Sequence, residues 1–327
     1  MTQEIVRLQS LGIGLESTAG TAVAAAFSIP VESFNLMPVV DKKEDTSGFG
    51  VIDEQVDSHI VREQSKLSAE GIARSQSLGY LLKMALGTAS GTPTTVETGV
   101  YLHAFTRLNT NAHPTATVYR NSATQDERAP FHALETLEID AQVGEYVKFK
   151  VETKGGKIES ATYSPSYSTG TADEQFKTVK CVVKIAADIA SLGAASAIEL
   201  TGIKFTIKKN VKGVFVLGAK TLVANHNQQF GVAGDFTAMY ALNTVRDLFT
   251  ANTKQAIQIT ITGDTLIGAT KYNELIVQLA QCELETWDRS SDNNALMTQE
   301  VGFIGEYNFT NTQTMNISLQ NVKSAGY

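Results

Sequence analysis

Val61-Arg62-Glu63-Gln64-Ser65-Lys66-Leu67-Ser68-Ala69 is the stretch that decides how this chain is read. Val61, Glu63, Ser65, Leu67 and Ala69 share one parity; Arg62, Gln64, Lys66 and Ser68 share the other. That is the period of a strand, whose successive side chains point to opposite faces. Gly48-Phe49-Gly50 sits upstream where a turn would, so residues 37–74 read as one long hairpin with neither face strongly apolar. Such a hairpin is marginal alone. It makes sense where one face meets a neighbouring subunit and the other lines water.

Outward from the hairpin, Leu78, Leu81, Leu82 and Ala85 follow helical spacing, and Gly87 can end that short helix. Upstream, Ile29 to Leu36 reads as a strand. Before it, Gly12-Ile13-Gly14-Leu15-Glu16-Ser17-Thr18-Ala19-Gly20 is small-residue-rich with weak periodicity, and reads as an extended, surface-hugging arm. Downstream, residues 88–100 form a loop. Strand-like runs recur at 102–108, 116–120, 133–140 and 146–152, and Gly155-Gly156 turns the chain. Tyr163 to Asp173 is the best linker. Thereafter the order repeats: an alternating run at 203–209, a hairpin at 213–229, and a helical stripe of Leu242, Val245, Arg246 and Phe249. These last four are Leu78, Leu81, Leu82 and Ala85 shifted by half the chain, which suggests a duplication. Residues 300–308 and 315–320 look like closing strands.

Composition agrees with a sheet protein. The 327 residues include 36 threonines, stiff side chains that fit a pleated surface, and only 6 prolines. Hydrophobic residues at 43% and charged residues at 19% argue for a packed globular chain. No apolar run is long enough for a membrane helix, and the first residues lack the pattern of a signal peptide. A net charge of −7 disfavours tight binding to duplex DNA. Cys181 and Cys282 read as reduced, buried thiols.

Catalytic patterns are missing from the sequence. No nucleophile-elbow motif occurs, and His59, His103, His113, His132 and His226 show no metal-ligand spacing. Gly213-Val214-Phe215-Val216-Leu217-Gly218-Ala219-Lys220-Thr221 imitates a phosphate-binding loop. Its extra Ala219 breaks the register of backbone N–H groups, so it reads as a hairpin limb. The expectation is no catalytic residue, no metal and no cofactor. The first hairpin is acidic: residues 41–74 hold eight carboxylates against five basic residues. The second is basic, with Lys208, Lys209, Lys212 and Lys220.

The opening Gly14-Leu15-Glu16-Ser17-Thr18-Ala19-Gly20-Thr21-Ala22-Val23, followed by Ile29-Pro30-Val31-Glu32-Ser33, resembles the start of tail tube proteins of long-tailed bacteriophages. Ser68-Ala69-Glu70-Gly71-Ile72-Ala73 ahead of the helix, and Glu300-Val301-Gly302-Phe303 near the end, match in order. The resemblance implies a mainly β chain of two tandem tail-tube-like sandwich or barrel domains, each with a long hairpin and a short flanking helix. The expected divisions are an arm at 1–28, a first domain at 29–165, a linker and crossing strand at 166–195, and a second domain at 196–327. It implies rings that stack into a hollow tube carrying double-stranded DNA, with this chain and other tail proteins as partners and no membrane. A duplicated chain would form a trimeric, pseudo-six-fold ring in a virion assembled in the host cytoplasm. Asp53, Asp57 and Glu63 are the expected lumen residues, and Gly14, Glu16, Thr18, Gly20 and Thr21 the expected inter-ring contacts. A terminator or baseplate hub of the same fold is the alternative within the structural class. An all-β binding module or adhesin is the alternative outside it, though it would call for an aromatic platform, and Trp287 is the single tryptophan.

Overall fold

The computed structural model describes residues 5–89, 91–110, 113–240, 243–290 and 296–327. The first half contains β1 (Ser10–Leu15), β2 (Phe27–Ile29), β3 (Ser33–Asp45), β4 (Asp57–Ile72), α1 (Ser77–Leu86), β5 (Gly87–Ala89), β6 (Thr94–Glu97), β7 (Val100–Arg107), β8 (Ala116–Asn121), β9 (Glu127–Gln142), β10 (Lys148–Gly155) and β11 (Glu159–Ser160). The second contains β12 (Cys181–Ala186), β13 (Ala197–Ile198), β14 (Leu200–Lys208), β15 (Lys212–Val214), β16 (Ala224–His226), β17 (Gly231–Met239), α2 (Thr244–Thr250), β18 (Gln255–Leu266), β19 (Tyr272–Arg289), β20 (Thr298–Gly305) and β21 (Met315–Asn321). The chain is mainly β, as its threonine content and alternating runs indicate.

Every ladder between these strands is antiparallel, and their order repeats. In the first half β3 pairs β4, β4 pairs β10, β10 pairs β9, β9 pairs β8, β8 pairs β1 and β1 pairs β2. In the second, β14 pairs β17, then follow β20, β19, β18, β12 and β13 in the same way. Chain order and ladder order both recur, with a helix after the hairpin in each half. Strand pairing and packing also join the two halves. β14 lies on β9, β21 lies on β7, and one apolar cluster runs from Leu11 to Leu319. The expected division into tandem domains therefore has no seam in the sheet or the core.

α1 is buried on nearly every side, with Leu82, Met84, Ala85 and Leu86 fully inaccessible. Its ends are held by remote residues. Asp173 Oδ1 accepts the N–H groups of Gln76 and Ser77 at 2.7 and 2.9 Å. Gly87 takes the left-handed conformation at φ 93° that ends a helix. Lys209, 1% exposed, donates its ammonium to the Met84 carbonyl at the helix C-terminus, where a cation suits the dipole. α2 buries Val245 and packs Leu248 and Phe249 against the core, while Arg246 is half-buried and pairs with Asp247. The expected stripe is thus Val245, Leu248 and Phe249 rather than one that includes Arg246; Leu242 lies outside the described residues.

The arm expected over the first residues is corrected. β1 is a buried strand between β2 and β8, with Leu11 and Ile13 in the core. Its glycines hide the pattern. A Cβ at Gly12 would meet the Tyr163 ring at 2.4 Å, and one at Gly14 the Ala24 carbonyl at 2.3 Å. Close packing here selects glycine on the face where an alternating strand would otherwise show a side chain. The segment expected as a linker is likewise knit in: Tyr163 is buried and Ser166 N donates to Ser28 Oγ at 2.6 Å.

Candidate functional site: a charge-paired sheet face

β3, β4, β10, β9, β14, β17, β20 and β19 form one ribbon that crosses from the first half to the second through the β9–β14 ladder. One face of this ribbon carries Leu67, Val151, Leu137, Phe205, Val232 and Val301 into the core. Strand alternation puts the intervening residues on the other face. There the charges interleave. Lys148 sits opposite Asp140, Asp140 opposite Lys204, and Lys204 opposite Asp235. One row along, Lys150 lies between Glu70 and Glu138. Lys204 Nζ reaches Glu138 Oε2 at 3.2 Å, and this partner holds the ammonium above its ordinary pKa. Lys148 is raised in the same way by Glu145, 2.5 Å away. Burial, with Glu300, Asp140 and Glu138 nearby, pushes Asp235 up against the opposing pull of Lys204. Each lysine of these rows thus has carboxylates directly across from it.

The hairpin carboxylates expected to line a lumen are not brought together. Asp53 and Asp57 are exposed at and beside the tip of the β3–β4 hairpin, beyond the part of β4 that β10 covers. Glu63 is half-buried, pairs with Lys157 at 2.6 Å, and its N–H donates to the Lys220 carbonyl. A bulge explains the split. Asp41 faces Arg62 but Lys42 faces Ile60, so the strand gains a residue at Val61 and its parity inverts. The ladder carboxylates Glu138, Asp140, Asp235 and Glu300 went unnoticed in the sequence. Their strands showed alternation, but only the pairing register reveals that acid lies opposite base.

The expected inter-ring residues divide into two groups. Gly14 and Glu16 are buried; Thr18, Gly20 and Thr21 are exposed. Glu16 is a hub. Its Oε2 accepts from Gly20 N at 2.8 Å and Thr115 Oγ1 at 2.6 Å; its Oε1 accepts from Thr117 Oγ1 and Phe131 N, both at 2.8 Å. No cation is needed, because four donors satisfy the carboxylate. Gly20 closes the turn at φ 79°, and Phe131 is held at φ 65°, a costly conformation for a bulky residue.

Chemistry-bearing groups elsewhere are structural. His132 is completely buried between Ser65 Oγ (3.0 Å from Nε2) and Thr153 Oγ1 (2.6 Å from Nδ1), and burial drives its pKa down to about 3. The likeness to a nucleophile and base is superficial. Ser65 donates its hydroxyl to the Gly156 carbonyl at 2.5 Å, which makes the imidazole a donor to Ser65 instead of its base. Gly213 and Val214 lie in β15 and the rest of 215–221 turns toward β16 with Gly218 at φ 87°, so no helix follows to receive a phosphate. Cys181 and Cys282 are free thiols that burial pushes up to about 11 and about 12. Trp287 lies in β19 with its indole N–H on Gln299 Oε1. Among the described residues no group of three or more His, Cys, Asp or Glu side chains could hold a metal, and no helix is long and apolar enough to cross a membrane.

The phage tail tube protein family model matches residues 7–310, and the chain belongs to that family. It is a structural component of the virion tail. No curated protein matches it significantly.

Proposed function

We propose that this chain self-assembles into rings that stack into the hollow tail tube through which double-stranded DNA is ejected into the host. Subunits would be made and assembled in the host cytoplasm and joined to other tail proteins at the tube ends. The observation that carries this reading is the charge-paired ribbon face. A conduit for a polyanion must not hold phosphates, and free lysines would do so. Here carboxylates lie across the strands from Lys148, Lys150 and Lys204, so this part of the face is hydrophilic with its lysines already engaged. Asp53 and Asp57 extend the acidic character toward the hairpin tip.

The repeated strand order supports a ring of three chains that imitates six-fold symmetry, each chain supplying two equivalent elements. For stacking, the two hairpins offer matching surfaces. Ile52 at 105% and Leu217 at 104% relative exposure stand at their respective tips, with Phe49, Val51 and Val216 beside them. Aliphatic groups so exposed on both halves suit burial against the next ring. Exposed Thr18 and Thr21 remain available as a second contact.

Negative-stain electron microscopy of the purified chain tests the reading. Hollow tubes or rings of uniform width, with three chains per ring by mass measurement, are expected. Monomers at every concentration, with or without a tail-tip extract, would refute it.

A further inference from the structure

The two halves differ in what covers their strands. In the first, the flank of β9 is covered by two strands in turn. β8 pairs it as far as His132, and β14 takes over from Thr136 to Gln142. In the second, β18 pairs β19 as far as Cys282, the counterpart of His132, and among the described residues no strand takes over. Glu283–Arg289 therefore present a bare edge on that flank, while β20 holds the other. The converse holds at the far end of the ribbon. β14 lies between β17 and β9, whereas its counterpart β3 has, among the described residues, β4 alone. Each chain thus has one bare edge at each end of the ribbon, and the partner missing from each is present in the other half.

We propose that β3 of one chain pairs antiparallel with residues 286–289 of β19 in the next, reproducing between chains the β9–β14 ladder seen within one. This rests on the ring reading above and names the surfaces that join the ring. The partner is a second copy, because the internal ladder shows that these two strand types already fit. The contact is head-to-tail, so it propagates and closes where the rotation permits. It also disposes of a long strand edge that would otherwise template aggregation.

The register carries over. Ile72 meets the first residue of β10 as Met239 meets the first of β20. Following the ladders from there, Leu36 takes the place of Phe205 and Asp288 the place of Glu138. The internal pairs Thr206↔Glu138 and Ile207↔Leu137 then become Met37↔Asp288 and Pro38↔Trp287 across the junction. Met37 is 42% exposed in the single chain and Trp287 only partly covered, as residues awaiting a neighbour should be.

The test combines Met37→Cys with Asp288→Cys in the full chain, since a directly opposed pair brings Cβ atoms within disulfide reach. Assembled rings under mild oxidation should give covalent oligomers that end at the trimer. Either single variant, which also controls for Cys181, should give none, and nor should Asp41→Cys with Asp288→Cys, four residues out of register. Amide exchange on the unmodified chain provides a check independent of substitution. Leu36, Met37, Val39 and residues 286–289 should exchange on the order of 100-fold more slowly in rings than in monomers. Rings that form without the crosslink and without this protection overturn the edge pairing but leave the tube reading intact. If the unmodified chain forms no rings at all, both fall.

Discussion

Replacing Glu16 by glutamine isolates the hub that anchors the N-terminal motif. The two backbone donors reach different oxygens, Gly20 N on Oε2 and Phe131 N on Oε1, each at 2.8 Å. An amide has one oxygen. Whichever way it is turned, one backbone N–H faces an NH2 group, and neither N–H can rotate away. The threonine hydroxyls of Thr115 and Thr117 can turn, so their loss is partial. Both bonds are part-buried, so leaving one donor unmade costs about 1 kcal/mol, and losing the charge-assisted character of the remaining bonds adds to it. The expected destabilisation is therefore about 1–3 kcal/mol. Glu16→Ala should cost at least as much, because it also releases Phe131 from its hold at φ 65°. The assay is guanidinium unfolding of unassembled chain at one fixed concentration, followed by circular dichroism and the fluorescence of Trp287. An unchanged slope with a lower midpoint is expected. A Glu16→Gln chain within about 0.5 kcal/mol of the parent would refute the reasoning, since a surface glutamate behaves that way.

Lys209 makes stability depend on pH. The unfolded chain holds this proton to about 10.5 and the folded chain only to about 7, because burial disfavours the ammonium. Between those values the unfolded state binds more protons, so stability rises with pH; Lys209→Met should flatten that rise in midpoints measured from pH 7 to 10. Asp173 has the opposite sign. Burial raises its pKa, so its contribution falls as pH rises from the ordinary carboxylate value through the folded one. Asp173→Asn keeps an acceptor for Gln76 and Ser77 and removes the buried charge, so at pH 7 it should unfold no earlier than the parent, whereas Asp173→Ala should cost about 1–2 kcal/mol as a lost helix cap. Ile52→Asp combined with Leu217→Asp should leave the monomer's midpoint unchanged and shorten tubes to single rings in micrographs.

What the sequence determined by itself was the class of the fold and much of its order. Alternation at 61–69, 133–140 and 203–209, and the helical spacing of Leu78, Leu81, Leu82 and Ala85, are local signals, and each became the element that its period implies. The recurrence of hairpin and helix was also legible, because order survives when letters drift. Tertiary structure decided the rest. β1 is hidden in the sequence because its glycines are selected by Tyr163 and Ala24, which lie far away or across a turn. Asp53, Asp57 and Glu63 could not be sorted by parity, because the bulge at Val61 arises from pairing with β3 and leaves no mark in either strand alone. The lysine–carboxylate ladder exists only across strands, since Asp140, Lys204 and Asp235 meet through register and not through spacing along the chain. Periodicity is written locally by the geometry of the backbone. Register and bare edges are set by which strand lies beside which, and that is settled only when the whole sheet forms.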